Sequence, residues 1–293
     1  VNQTVEARES PMKVEVTRTS SKAPCRVISV TSGKGGVGKS NCALNIGAAL
    51  AESGRAVLLL DADLSLANLD ILIGITPNGT IADVLSGEKK IEEILIDGPL
   101  GITIIPATSG VSKLTDLSTD QRLTLLAEIE RVASRFDYLI IDTPAGIASD
   151  VLFFNAAARE VICVVTPEPT SMTDSYAMLK LLGARCGERR VGVIMNQCSS
   201  EREGERAFDR LERSVQRYLP LSITRLGIVP RDESVQEAVR AQVAVFERYP
   251  TCPASIAWRN ISRTMDDQFI NQRVKGGMEL FFGQLLSEER YGG

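Results

Sequence analysis

Gly33-Lys34-Gly35-Gly36-Val37-Gly38-Lys39-Ser40 is the stretch that decides the fold. It satisfies GxxxxGK[ST] at every position, follows the apolar run CRVISV (25–30), and opens a helix-length segment, Ser40–Ser53. Strand, glycine-rich turn and helix in that order give the pattern its meaning. Glycines let a backbone curl until its N–H groups converge on an anion, and the helix start adds partial positive charge. Lys39 is placed to neutralise β/γ-phosphate charge and the Ser40 hydroxyl to ligate Mg²⁺. The phosphate-contacting set is therefore Gly33, Lys34, Gly35, Gly36, Val37, Gly38, Lys39, Ser40 and the following Asn41. A glycine-rich turn without a ligand is the competing reading, and the strand–turn–helix context weighs against it.

Outward from the loop, short β-branched runs recur: AVLLLDAD (56–63), ITIIPA (102–107), DYLIIDT (137–143), EVICVVT (160–166), VGVIMN (191–196) and ITRLGIVP (223–230). Helix-length stretches separate most of them, among them 119–135, 170–184 and 203–218. Continuously apolar strands suit burial on both faces. Their alternation with helices predicts an α/β fold, a P-loop domain with a mostly parallel sheet flanked by helices. Asp142 ends its strand at the carboxyl edge, where open α/β sheets bind ligands, and is read as a metal-site acid. Asp61 and Asp63 end theirs with i,i+2 spacing, toward one side. Strand-end acids of no special role are the alternative. In the segment 201–217 the Asp209/Arg213 pair reads as part of a solvated face.

Composition narrows the chemistry. The 293 residues contain no histidine, which excludes Ser/His/Asp and Cys/His nucleophiles and His-ligated zinc. Against 37 Asp+Glu stand 33 Lys+Arg, a net charge of −4, so there is no global basic footprint for nucleic acid. The six cysteines, Cys25, Cys42, Cys163, Cys186, Cys198 and Cys252, form no CxxC and read as reduced thiols of a cytoplasmic protein. The polar first residues lack the apolar stretch of a secretory signal. Three regions are expected: an arm over 1–24, a domain over 25–265 and a tail over 266–293.

The second lysine of GKGGVGKS, Lys34, together with DADLSLANLD (61–70), DTPAGI (142–147) and TPEPTSMTDSY (166–176), resembles the deviant Walker-A ATPases of the MinD/ParA family. EPTSMTDSYAMLKLL (168–182), REGERAFDRL (202–211) and GIVPRDESVQEAV (227–239) are most similar to its flagellar number regulators, the FleN/FlhG group. The resemblance covers about 27–286. It implies ATP/ADP and Mg²⁺ as ligands, with Lys39 on phosphate, Ser40 on the metal and Asp142 as the Walker-B acid. Lys34 would reach across an ATP-bridged homodimer to the partner's nucleotide, and Asp174 would make dimer contacts. Asp63 would position the attacking water, with Asp61 in the metal's outer shell. Asn196 would read the base, with Pro230 and Asp232 beside the ring. Implied partners are an FlhF-type SRP GTPase and either a flagellar transcription activator or the basal-body switch ring. Missing cysteine pairs and a single late tyrosine, Tyr291, separate the chain from the iron–sulfur and tyrosine-kinase branches.

In the tail, Met278, Phe281, Phe282, Leu285 and Leu286 recur at i, i+3, i+4, i+7, i+8, one apolar helix stripe. Such a stripe packs on its own domain or lies in a membrane interface. The resemblance favours a tail switched by nucleotide, giving peripheral contact with the inner face of the cell membrane, at the pole. Two alternatives share the chemistry: a ParA-type DNA-segregation ATPase, disfavoured by the acidic balance, and a MinD-type division-site regulator.

Overall fold

The computed structural model describes residues 24–63, 69–106 and 117–269. The first 23 residues and the apolar stripe Met278, Phe281, Phe282, Leu285 and Leu286 lie outside the described residues.

The strands are β1 (Arg26–Thr31), β2 (Val57–Asp61), β3 (Ile96–Asp97), β4 (Thr103–Ile105), β5 (Tyr138–Asp142), β6 (Glu160–Val165), β7 (Arg190–Cys198) and β8 (Ser222–Pro230). They form one sheet in the order β3-β4-β2-β5-β1-β6-β7-β8. Every pairing is parallel except β3 against β4. The mostly parallel sheet expected from the apolar runs is present. The two-residue β3 escaped the reading because it carries no run of its own.

The helices are α1 (Lys39–Glu52), α2 (Leu69–Ile73), α3 (Ile81–Leu85), α4 (Thr119–Ala133), α5 (Ser149–Ala157), α6 (Pro169–Arg185), α7 (Glu201–Tyr218), α8 (Glu233–Arg240), α9 (Val245–Arg248) and α10 (Pro253–Phe269). Ser118 opens α4 and Ser200 opens α7, each accepting from the backbone N–H three residues on, which supplies an orphan donor with an acceptor. α10 runs through the expected boundary at residue 265.

Alternating strand residues feed opposite cores. Leu59 joins α1 and α10 on one face, where Trp258 is fully buried; Leu58 and Leu60 join α3 and α4 on the other. Each such leucine contributes about 1.5–3 kcal/mol by burial. A third core, built on Val161, Cys163 and Val165 of β6, lies under α5, α6 and α7. Gly227 of β8 is required by this packing, since a Cβ there would stand 2.4 Å from Ile261 of α10. All six cysteines are free, and burial pushes the thiols of Cys42 and Cys163 up to about 12, so both stay neutral.

Candidate functional site

β1 delivers the chain to the carboxyl edge between β5 and β6, and residues 32–38 turn there into α1. Gly36 (φ 78°) and Gly38 (φ 85°) are left-handed, a conformation that favours glycine. Gly38 is doubly constrained, because a Cβ would meet Asn196 Nδ2 at 2.5 Å. Gly33 owes its identity to a neighbour: a Cβ would lie 2.3 Å from the backbone carbonyl of Asp174.

The loop's carbonyls are held from outside. Asn196 Nδ2 donates to the Val37 carbonyl at 2.7 Å, and Gln197 Nε2 to that of Gly36 at 3.4 Å. Ser32 Oγ donates to the Lys34 carbonyl at 3.0 Å. With carbonyls engaged this way, the turn's amides are left for an anion. The first turn of α1 carries no acidic residue to neutralise its positive end.

Beneath the loop, Lys39 Nζ lies 2.6 Å from Asp142 Oδ1; the carboxylate is fully buried and the lysine nearly so. Asp142 Oδ2 is buried with no hydrogen-bond partner among the described residues. An unanswered carboxylate oxygen in the interior costs free energy unless a cation or a water donor meets it. Mg²⁺ takes oxygen ligands and keeps much of its water shell, so Asp142 with the half-buried Ser40 is a donor set that fits it.

Asp61 lies in register with Asp142 on the adjacent strand and is buried. Its carboxylate accepts from Asp63 N and Leu69 N, each at 3.1 Å, so it anchors the chain leaving β2. Asp63 stands just past that strand end, half-exposed. Lys34, at the rim, donates to Glu168 Oε2 at 3.0 Å and Thr170 Oγ1 at 2.9 Å, at the start of α6.

The structure brings Lys34, Lys39, Ser40, Asp61, Asp63, Asp142, Asp174 and Asn196 to one edge of the sheet. One of the two Asn196 amide hydrogens is spent on the loop itself. Asp232 also acts on the chain: its oxygens accept from Ser234 N at 2.9 Å and Ala254 N at 3.1 Å, capping α8 and fixing the start of α10. Burial works against its charge, but these backbone donors outweigh it and hold its pKa below the ordinary value. Pro230 ends β8. On α7, the Asp209/Arg213 pair does not close through the carboxylate. Arg213 Nε donates instead to the backbone carbonyl of Asp209 at 3.1 Å. Glu168, Thr170 and Gln197 were not singled out by sequence reasoning; the left-handed φ of Gln197 (56°) has no signature in residue type.

Residues 25–184 match the AAA_31 family, an AAA domain. The chain is 41% identical to the antiactivator FleN of Pseudomonas aeruginosa over 269 residues, 92% of this chain and 96% of that protein. It is 34% identical to the flagellum site-determining protein YlxH of Helicobacter pylori, over 90% of this chain and 91% of the relative. Among solved structures, the septum site-determining protein MinD of Pyrococcus horikoshii, complexed with Mg-ADP, superposes with a TM-score of 0.66 at 25% identity. The superposition covers 85% of this chain and all of that one.

Proposed function

The chain belongs to the MinD/ParA family of ATPases, and from that premise we propose that it is an ATP-dependent dimerising switch that regulates flagellar number and placement. The observation that carries this reading is a complete phosphate cradle with a second lysine, Lys34, at its rim, in a chain so similar to FleN along nearly its whole length.

The cradle amides and Lys39 hold the β/γ-phosphates. Ser40 and Asp142 would hold Mg²⁺, which when bound would supply positive charge against the phosphate oxygens. On nucleotide binding Lys39 would exchange part of its contact with Asp142 for phosphate, leaving that carboxylate available to Mg²⁺. Asp63 orients the attacking water, while Asp61 holds the amides of Asp63 and Leu69. Lys34 leaves Glu168 and Thr170 and reaches the partner protomer's nucleotide, adding charge as an arginine finger does. Asp174, beside Gly33, lies in the same contact face. Asn196 and Pro230 border the space for the base, and Asp232 borders it through its backbone. Positioning and charge suffice for this chemistry, which fits a chain without histidine.

The outputs follow the family. The dimer engages an FlhF-type GTPase and a flagellar transcription activator or switch-ring component. The stripe Met278, Phe281, Phe282, Leu285 and Leu286 gives peripheral membrane contact at the cytoplasmic face. No helix among the described residues is long and apolar enough to cross a membrane. A single short helix binds membranes marginally, so two per dimer make attachment nucleotide-dependent. Size-exclusion chromatography with ATP and with ADP tests the switch: a dimer is expected only with ATP, and monomers in both overturn it. Deleting residues 276–293 should abolish liposome sedimentation with ATP, and unchanged pelleting removes the tail from the mechanism.

A further inference from the structure

Three non-glycine residues hold a left-handed backbone among the described residues: Leu100 (φ 54°), Gln197 (φ 56°) and Gln242 (φ 53°). Such a residue is uncommon, and what its neighbours gain from it is a pointer to function. Gln242 stands just past α8. Val243 N donates to the Ala238 carbonyl and Gln242 N to that of Val239, each at 3.1 Å. Helices commonly end with this pair of bonds around a left-handed residue. Glycine is its usual occupant, having no Cβ to crowd the backbone. The turn is fixed by burial on either side, with Ala238 before it and Ala244, Val245 and Phe246 after it. The helix end by itself has no use for a glutamine side chain.

That side chain crosses to α2. Gln242 Nε2 donates to the Ile71 carbonyl at 3.1 Å, across 171 residues of chain. Its Cβ and backbone oxygen lie against Gly74, where an added Cβ would stand 3.2 Å from each. Gly74 is itself left-handed (φ 67°) and closes α2, with Ile75 N donating to the Asp70 carbonyl at 3.0 Å. At the opposite end of α2, Leu69 N donates to Asp61 Oδ2 at 3.1 Å, while Asp61 Oδ1 accepts from Asp63 N at 3.1 Å. One carboxylate therefore grips both α2 and Asp63. Isolated helices shorter than about 12 residues are marginal, and α2 has five. Its placement rests on the buried Leu69 and on the contacts at its two ends.

We propose that Gln242 is a positioning residue for ATP hydrolysis. It fixes the C-terminal end of α2 and, through the shared Asp61 carboxylate, sets Asp63 against the attacking water. The inference rests on the role proposed above for Asp63 and adds to it a residue that touches neither nucleotide nor metal. Glycine at 242 would relax the turn and drop the link. Glutamine keeps the link at a cost to the backbone, the pattern expected where strain serves a site. The link also joins two sides of the site. Helix α8 has eight residues, is capped by Asp232 beside the space proposed for the base, and leads directly into Gln242.

The test measures variants of the full chain for turnover at saturating ATP, ATP affinity by calorimetry and urea midpoint. Gln242→Gly removes the donor and relieves the left-handed turn, so the midpoint should hold or rise. Its kcat should fall about tenfold, inside the roughly 100-fold that a misplacement of about 1 Å can cost, with ATP affinity as in the parent. Gln242→Glu keeps the length and the backbone strain but turns oxygen toward a carbonyl, and should be as slow. Gln242→Lys restores a donor and should recover most of the rate. Amide exchange over residues 69–75 should quicken in the glycine and glutamate variants and stay near the parent's in the lysine variant. Asp63→Ala/Gln242→Gly should turn over no more slowly than Asp63→Ala, because the effect passes through Asp63. Parent turnover in Gln242→Gly, a loss confined to ATP affinity, no recovery in Gln242→Lys, or additive losses in the double variant overturns the proposal. Those results leave the nucleotide switch standing, whereas parent turnover in Asp63→Ala removes the premise and the proposal together.

Discussion

The two edges of the sheet treat buried charge in opposite ways. At the amino edge, Arg26 holds Glu160 at 3.1 Å and donates to the Tyr138 hydroxyl at 2.7 Å. Tyr138 donates in turn to Asp266 of α10, and Arg55 pairs with the same carboxylate at 3.1 Å. Each charge there has a partner, and the chain of contacts ties α10 to β1, β5 and β6. At the carboxyl edge Lys39 and Asp142 form a more deeply buried pair, yet Asp142 Oδ2 has no partner among the described residues. A closed network stabilises. An open one holds back interaction energy that a ligand completes, so function is sought where the accounts of hydrogen bonding fail to balance.

The largest effects should come from removing charge at the open edge. Lys39→Ala removes the phosphate contact and strands a buried carboxylate. ATP binding by calorimetry should vanish, and urea unfolding should show a loss of about 3–5 kcal/mol. Lys39→Met/Asp142→Leu removes both charges and should regain much of that stability while binding no nucleotide. A double variant no more stable than Lys39→Ala would show that the pair is structural, and the contrast between the edges would fail.

Next comes Asp63→Ala. Asp63 lies past the strand end, outside the buried pair, so the fold and ATP binding should survive. Turnover should fall on the order of 100-fold, the scale of losing one positioned proton acceptor, while ATP still drives dimerisation in chromatography. Wild-type turnover would remove Asp63 from the reaction.

At the closed edge, Asp266→Ala should cost about 1–2 kcal/mol, the worth of a half-buried hydrogen bond and ion pair. Its urea midpoint should drop with the slope unchanged, and turnover at saturating ATP should match the parent. Turnover that falls while stability holds would show the two edges to be coupled through α10.

The edges also differ in how far the sequence announces them. The phosphate loop is local: eight consecutive residues carry their own chemistry, and a strand and helix on either side supply the context. Asp142 and Asp61 could be placed because an apolar run stops at each. Nothing local marks Tyr138 or Asp266 as partners, for they are 128 residues apart and meet only once α10 lies across the strand starts. The same limit hid the grip of Asn196 and Gln197 on the loop, 159 and 161 residues away in the chain. On α7 the sequence predicted the helix and read the Asp209/Arg213 pair as part of a solvated face. Burial of Gly204, Ala207, Phe208, Leu211 and Val215 fixes the inward face and leaves Asp209 and Arg213 exposed.

Asp232 sharpens the contrast because it belongs to the open edge and yet is closed. Ser234 N and Ala254 N occupy its two oxygens. Asp232→Asn keeps one acceptor and still caps α8, but its amide nitrogen cannot accept from Ala254. The loss should be about 1 kcal/mol, that of one cap or hydrogen bond, with ATP affinity nearly unchanged because the carboxylate is spent on the chain. The folded pKa lies below the ordinary one. The charged form therefore adds stability that is fully present above the unfolded value, about 3.9, and is lost as pH falls through the folded value. The gap between parent and Asp232→Asn in urea midpoints should accordingly be full at neutral pH and narrow in acid. A gap that persists unchanged in acid, or a large fall in ATP affinity, would move Asp232 from the closed set to the open one.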